Sequence, residues 1–115
     1  MSGRNVLTQA LRELLDRLRD RTDPPAAALV GRVSVQDGLA VVDFHPFQET
    51  SLAWASTSCG GSAMWGMLNK TVFQFASVRA VRYRFDGNCE AFQEFMQSAC
   101  INGHGLFTRA EWEGA

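Results

Sequence analysis

A cysteine followed by two glycines and a serine, in the stretch STSCGGSAMWG, has the residue types of a reactive site at a helix N-terminus. The free N–H groups and the positive dipole end found there favour a thiolate, which is the nucleophilic form of cysteine. His45 could act as the general base for Cys59, and Asp43 or Asn102 could orient the imidazole ring. The pattern therefore predicts, as one alternative, a small cysteine-dependent hydrolase that uses Cys59 and His45.

The same stretch is also typical of a loop that leads into a helix and performs no chemistry. Gly60 and Gly61 would form the turn, and the side-chain oxygen of Ser62 would cap the helix. The second cysteine and the surrounding residues of cysteine–glycine–serine–cysteine protease sites are missing. We therefore favour a structural role for Cys59, and we expect His45 to be a half-exposed residue at a strand end.

Three arginines, Arg79, Arg82 and Arg84, fall within one predicted strand and could contact phosphate or an acidic partner. Arg82 and Arg84 lie on the same face of that strand, because side chains alternate along it. Asp43 interrupts another, apolar strand. Charges in such places are also typical of the solvent face of an antiparallel sheet, where they discourage edge pairing. Both interpretations stay open, with Arg79, Arg82, Arg84 and Asp43 as candidate binding residues.

The three cysteines, Cys59, Cys89 and Cys100, are an odd number and do not fit a complete disulfide framework. Cys89 and Cys100 flank a short helical segment and could form a disulfide bond, which would leave Cys59 as a thiol. No CxxC or HxxxH spacing occurs, so we expect no metal site. No other cofactor is predicted.

Size, composition and charge restrict the class of protein. The chain of 115 residues is long enough for one domain, and its formal net charge of −1 argues against a dedicated nucleic-acid binder. No run of eighteen apolar residues is present, so no segment is predicted to span a membrane. The first residues lack the apolar core of a signal peptide, and a leader or lipid anchor ahead of Met1 stays open.

Hydrophobic periodicity predicts an α+β domain. Helical spacing is found in Asn5–Asp20, Ser62–Ala76 and Glu90–Ser98, and strand patterns in Leu29–Val35, Leu39–His45 and Val78–Phe85. Asp37-Gly38 between the first two strands predicts a hairpin. The order helix–strand–strand–helix–strand, followed by a short C-terminal helix, predicts two main helices on one face of a three-stranded sheet.

We divide the chain at its proline linker and at its glycine-rich end. Residues 1–26 form an amphipathic helix and linker, residues 27–98 the α+β domain, and residues 99–115 a tail. The leucine stripe of the first helix could bind a partner, but packing on its own domain is the simpler interpretation. The tail is expected to be poorly ordered unless Leu106, Phe107 and Trp112 dock.

Three segments together resemble the sporulation and spore germination (GerMN) domain family. They are VSVQDGLAVVDF, GGSAMWGMLNKTVFQFASV and RAVRYRFDG, and the resemblance covers roughly residues 29 to 87. The matching positions are Val42, Asp43, Phe44, Gly61, Ser62, Thr71, Phe75, Val78, Val81 and Gly87. The chain departs from the family pattern by Gly66 inside the helix, by its three cysteines and by the extension from Cys89 to Trp112.

The resemblance implies a small noncatalytic interaction module of the cell envelope, related to the ring-building motif of sporulation assemblies. Such modules are often carried by lipoproteins, so the resemblance implies an extracytoplasmic location and a protein partner or self-association. It transfers no catalytic residue to this chain. The binding surface is then expected on the sheet face that carries Arg82 and Arg84, or along an exposed edge strand.

Overall fold

The computed structural model describes residues 3–96 and 106–114 of the chain. The helices are α1 (Gly3–Leu18), α2 (Ala26–Leu29), α3 (Ser58–Phe73), α4 (Cys89–Phe95) and α5 (Arg109–Gly114), and the strands are β1 (Val30–Gln36), β2 (Leu39–Phe44), β3 (Ala80–Phe85) and β4 (Leu106–Thr108). Two short 3-10 helices, Phe47–Glu49 and Ser51–Ser56, lie between β2 and α3. Two residues considered above, Cys100 and Asn102, lie outside the described residues.

The four strands form one mixed sheet in the order β1-β2-β3-β4. β1 and β2 form the predicted antiparallel hairpin, β3 runs parallel to β2, and β4 is antiparallel to β3. The α+β class is confirmed, but the prediction of three strands is wrong. The fourth strand comes from the tail, whose three residues pair with the edge of β3 that would otherwise be open.

The hairpin turn depends on two residues with positive φ. Asp37 has φ 52° and Gly38 has φ 83°, as expected for the turn type whose twist matches the flanking strands. The carbonyl of Gly38 accepts hydrogen bonds from the backbone N–H groups of Arg79 and Ala80. The turn therefore also fixes the start of β3, which lies far along the chain.

Helix α1 packs on the body of its own domain. Its stripe of Leu7, Leu11, Leu14 and Leu15 is buried and belongs to the same hydrophobic core as the sheet. This result confirms the simpler interpretation of the apolar stripe. The structured unit therefore includes α1 as one of its core helices.

The connection after α1 is held by the carboxylate of Asp23. It accepts hydrogen bonds from the backbone N–H and the hydroxyl of Ser51, and from the backbone N–H of Asp20. The hydroxyl of Ser51 contributes most to stabilising the charged carboxylate, and the pKa of Asp23 is lowered as a result. These bonds tie the end of α1 to the segment that precedes α3.

Aromatic side chains from the sheet and from α4 fill the centre of the core. Side chains alternate along β2 and β3, so Phe44, Tyr83 and Phe85 all point to the buried face. The ring of Phe92 lies 4.9 Å from Phe85 and 5.5 Å from Tyr83, measured between centroids. α4 is thus fixed to the sheet by stacked and edge-on rings.

One buried hydrogen bond joins α3 to the sheet. The hydroxyl of Tyr83 donates to Oδ1 of Asn69 at 2.8 Å, and both residues are buried. Burial raises the pKa of the Tyr83 hydroxyl well above its usual value, because the phenolate would lose its solvation. The pair satisfies two polar groups that an apolar core would otherwise leave without a partner.

The tail docks on the domain through its aromatic residues. Phe107 lies with its ring centroid 4.6 Å from that of Trp65, and Trp112 stacks on Phe73 at 6.4 Å. Two of the three residues whose docking was considered, Phe107 and Trp112, therefore pack on the domain, within the described part of the tail. The sequence could not decide this, because the aromatic residues that receive the tail lie in a distant helix.

Arg109 anchors the same tail to the end of α3. Its Nη2 donates to the carbonyls of Phe73 and Phe75, and its Nε donates to the carbonyl of Val78. The last carbonyls of a helix have no partner within the helix, so a cation is well placed there. One side chain thus closes the C-terminus of α3 and holds the start of α5.

Two glycines give opposite predictions for a change to alanine. Gly38→Ala should lower the free energy of unfolding by about 1–3 kcal/mol, because its φ is positive. A Cβ there would also lie 2.9 Å from Cγ of Arg79. Gly66→Ala should raise the free energy of unfolding by about 0.5–1 kcal/mol, because a Cβ at this helical position meets no atom within 4 Å. Urea denaturation of both variants measures the two effects. A change of the same sign in the free energy of unfolding of both variants would contradict the roles given to the two glycines.

Candidate functional site

The N-terminus of α3 differs from the prediction. The helix begins at Ser58, and Thr57 is its N-cap, with Oγ1 accepting a hydrogen bond from the N–H of Gly60 at 2.9 Å. The prediction that Ser62 caps the helix is wrong, because Ser62 lies one turn inside it. Cys59 consequently lies in the first helical turn, where it is exposed.

The double glycine is explained by close packing of the backbone. A Cβ on Gly60 would overlap the carbonyl oxygen of Trp54 and lie 2.6 Å from Oγ1 of Thr57. A Cβ on Gly61 would lie 3.2 Å from the carbonyl oxygen of Ala55. Both glycines are helical, so their role is to let the start of α3 approach the 3-10 helix before it. The prediction that they form a turn is therefore wrong.

His45 contacts a residue other than the predicted ones. Its Nε2 lies 3.0 Å from Oε2 of Glu49, four residues later in the chain. Within residues 3–96 and 106–114, no hydrogen bond joins Cys59 to His45, and Cys59 does not line the pocket that His45 lines. The described residues give the hydrolase hypothesis no nucleophile–base contact, and it stays a prediction.

Asp43 and Arg84 form an ion pair with two hydrogen bonds on the sheet. They are direct partners in the parallel register of β2 and β3. Nε of Arg84 donates to Oδ1 of Asp43 at 2.8 Å, and Nη2 donates to Oδ2 at 2.9 Å. The backbone N–H of Gly87 also donates to Oδ1, at 3.0 Å. One carboxylate thus connects two strands and the turn after β3.

A β-bulge opens a pocket beside this ion pair. Val30 pairs with Phe44 and Val33 with Val42, so two residues of β1, Gly31 and Arg32, oppose the single residue Asp43. The pocket has a volume of about 390 Å³ and is lined by Ala28, Gly31, Arg32, Asp43, Phe44, His45, Arg84, Asp86 and Gly87. The sequence analysis missed Arg32 and this pocket, although a glycine inside a strand often marks a bulge.

The three arginines do not lie on one strand. β3 begins at Ala80, so Arg79 precedes it and packs its side chain beside Gly38 in the hairpin turn. The prediction that Arg79 lies in this strand is wrong, because β3 begins at Ala80, whose N–H donates to the hairpin carbonyl of Gly38. Arg82 and Arg84 do lie in β3 and on one face. Arg82 stands between Val41 of β2 and Leu106 of β4 in the register.

Both arginines belong to the sheet face that points away from the aromatic core. We call this surface the outer sheet face. By alternation and register its members are Ser34, Gln36, Leu39, Val41, Asp43, Ala80, Arg82, Arg84, Leu106 and Thr108. Eight of these ten, all except the exposed Ser34 and Gln36, are half-buried. The face therefore combines apolar side chains with two arginines and one aspartate.

The two edges of the sheet are less suited to adding a strand. The edge strand β1 is interrupted by its bulge, which carries the exposed Arg32, and β4 at the opposite edge has three residues. Bulges, charges and short strands at edges discourage pairing with another chain. Of the two surfaces expected from the sequence, the outer sheet face is the better candidate.

Other classes of site receive no support from the described residues. In residues 3–96 and 106–114, no three His, Cys, Asp or Glu side chains gather as a metal site would require. In the same residues, no helix is both long enough and apolar enough to cross a membrane. The predicted Cys89–Cys100 disulfide involves a residue outside the described part. No family model, curated protein or solved structure matches the chain.

Removing the charge of Asp43 should destabilise the sheet. Asp43→Asn is expected to lower the free energy of unfolding by about 1.5–3 kcal/mol, because Arg84 would lose a bidentate, charge-assisted partner. Arg32→Gln is the matched control from the same pocket, and it should change stability by less than about 0.5 kcal/mol because Arg32 is exposed. Chemical denaturation measures both, and equal losses would contradict the role assigned to the ion pair.

The start of α3 can be tested by two neighbouring substitutions. Gly60→Ala should destabilise the domain by about 3 kcal/mol, because the added Cβ meets a backbone carbonyl that cannot move independently. Cys59→Ala should change stability by less than about 0.5 kcal/mol, because the thiol is exposed. Thermal unfolding of both variants measures the two changes in stability. A tolerated Gly60→Ala would show that the approach to Trp54 is not required.

Proposed function

We propose that this chain is a noncatalytic protein-interaction module of the GerMN type, which binds a protein partner or a second copy through the outer sheet face. The observation that carries the proposal is the composition of that face. Leu39, Val41 and Leu106 surround Arg82, and all four are half-buried on the side away from the core. Arginine and apolar residues together are typical of the centre of protein interfaces.

The ion pair on this face prepares Arg84 for recognition. Two of its nitrogens are held by Asp43, so the guanidinium is fixed in place before a partner arrives. Among the described residues, its Nη1 has no hydrogen-bond acceptor, and 30% of the side chain is exposed. A fixed donor loses less conformational entropy on binding than a mobile one. A partner carboxylate or carbonyl beside Arg84 would meet this donor.

The geometry of the matching residues supports the GerMN resemblance. Asp43 stands in the family's Val-Asp-aromatic step, and Gly87 ends its last strand. Here the N–H of Gly87 donates to the carboxylate of Asp43, so two positions that carry the resemblance are in direct contact. The family's order of hairpin, helix and strand is also present. These points favour a shared fold and role, and we infer a cell-envelope, extracytoplasmic setting from them.

The proposal is tested by altering the outer sheet face alone. Val41→Glu/Arg82→Glu should abolish self-association in sedimentation velocity, or weaken a purified partner's binding at least tenfold. The reason is that Val41→Glu puts a charge at the apolar centre of the face, and Arg82→Glu reverses the charge of the arginine there. Candidate partners come from cross-linking in cells of the source organism and are then measured as purified proteins. Arg84 is left unchanged because its loss would also disturb the fold.

The matched control is Arg21→Glu, which makes the same charge reversal at an exposed residue after α1. It should bind as the unmodified chain does. Circular dichroism and thermal unfolding check that the double variant is folded. Equal binding by the folded double variant and by the control would contradict the outer sheet face as the binding surface. Retained binding in Cys59→Ala is expected as well, since the proposal gives the thiol no part.

A further inference from the structure

A groove runs between α1 and α3 on the helical side of the molecule, away from the outer sheet face. It consists of two adjoining cavities, of about 540 and 390 Å³, which share Gln74. The first is lined by Asn5, Val6, Gln9, Ala10, Glu13, Gln74 and Phe75, and the second by Leu14, Arg17, Leu18, Met67, Lys70, Thr71 and Gln74. The first part of α1 lies opposite the C-terminal end of α3, and the last part of α1 lies opposite residues earlier in α3. The two walls of the groove therefore run antiparallel.

The lining of the groove includes apolar side chains that the core does not bury. Val6 is 39% exposed, one of two large apolar residues with that degree of exposure among those described. Phe75, Leu18 and Met67 are only partly buried against the core. An apolar strip of this kind between two helices is typical of a surface that receives a third, amphipathic helix.

Charge separates the two ends of the groove. Arg17 and Lys70 flank the second cavity, and neither forms an ion pair or a hydrogen bond with any described residue. At the other cavity the carboxylate of Glu13 accepts a hydrogen bond from the amide of Gln9 at 3.1 Å. One end of the groove therefore presents two cations, and the other end presents one exposed carboxylate.

We propose that this groove binds an amphipathic helix of a partner protein that carries acidic residues at one end. Its apolar face would cover Val6, Phe75 and Met67, and its carboxylates would meet Arg17 and Lys70. The α1 wall extends from Asn5 to Leu18, which corresponds to about 20 Å of helix, or about 14 residues of the occupant. The chemistry that selects the occupant is complementarity of charge over an apolar strip.

This second surface is independent of the proposed function. The outer sheet face and the groove lie on opposite sides of the layer formed by the sheet and its helices. A module with two such surfaces would link two partners. Failure of the groove to bind would leave binding at the outer sheet face unaffected, and the converse also holds.

The test uses a displayed library of 14-residue peptides with leucine at helical spacing and randomised remaining positions. Selection on the full chain is expected to enrich Asp and Glu at one end of the peptide. Selection on Arg17→Glu/Lys70→Glu should not enrich those peptides. A synthetic peptide from the selection should bind the unmodified chain at least tenfold more tightly than that variant. Its amide shift changes in nuclear magnetic resonance should fall on α1 and α3.

A charge exchange is the decisive control. The same peptide with Lys in place of its acidic residues should bind Arg17→Glu/Lys70→Glu more tightly than the unmodified chain. Val6→Asp, at an exposed position, should weaken the acidic peptide at least tenfold without unfolding the domain. Failure to enrich acidic peptides, affinity unchanged by the double reversal, or shift changes confined to the outer sheet face would each overturn the proposal.

Discussion

The parallel pairing of β2 with β3 is the constraint on which the rest of the domain depends. Its register places Asp43 beside Arg84 on one face and Phe44 beside Phe85 on the other. A shift by one residue would exchange the two faces, putting the charged pair into the core and the aromatic rings into solvent. The ion pair on the outside and the ring cluster inside therefore favour the same register. Any other register of β2 with β3 would disrupt both of them.

Several elements were predictable because their signals are local. Asp37-Gly38 indicates a hairpin through its own φ preference, and the leucine spacing of α1 indicates a buried helical face. The starts of α3 and β3 were not predictable to the residue. Thr57 and Ser62 both have side chains suited to capping, and in the structure Oγ1 of Thr57 accepts the capping hydrogen bond from Gly60 while Gly60 packs against the carbonyl of Trp54. β3 begins where the hairpin carbonyl of Gly38 binds it, a contact between residues about forty positions apart.

The candidate site shows the same division between local and distant information. Asp43 stood out in the sequence as a charge within an apolar strand, and Arg84 as a charge on an outward position. Their pairing requires knowledge of which strands are neighbours, which sequence spacing does not contain. Cys59 stood out because of its two glycines, yet Gly60 and Gly61 are explained by close packing against the backbone carbonyls of Trp54 and Ala55. A motif can thus be conspicuous for steric reasons that have no relation to the reactive atom beside it.

The anchoring of α3 by Arg109 bears on how the domain can be handled as a unit. The carbonyl of Phe73, the last residue of α3, and those of Phe75 and Val78 just after it accept hydrogen bonds from Arg109. A fragment cut before Arg109 would keep most of the core and the contact of Phe107 with Trp65, but it would remove Arg109 from those carbonyls and Trp112 from the ring of Phe73. A shortened version of the domain therefore needs to extend through α5, so that Arg109 keeps its place on those carbonyls.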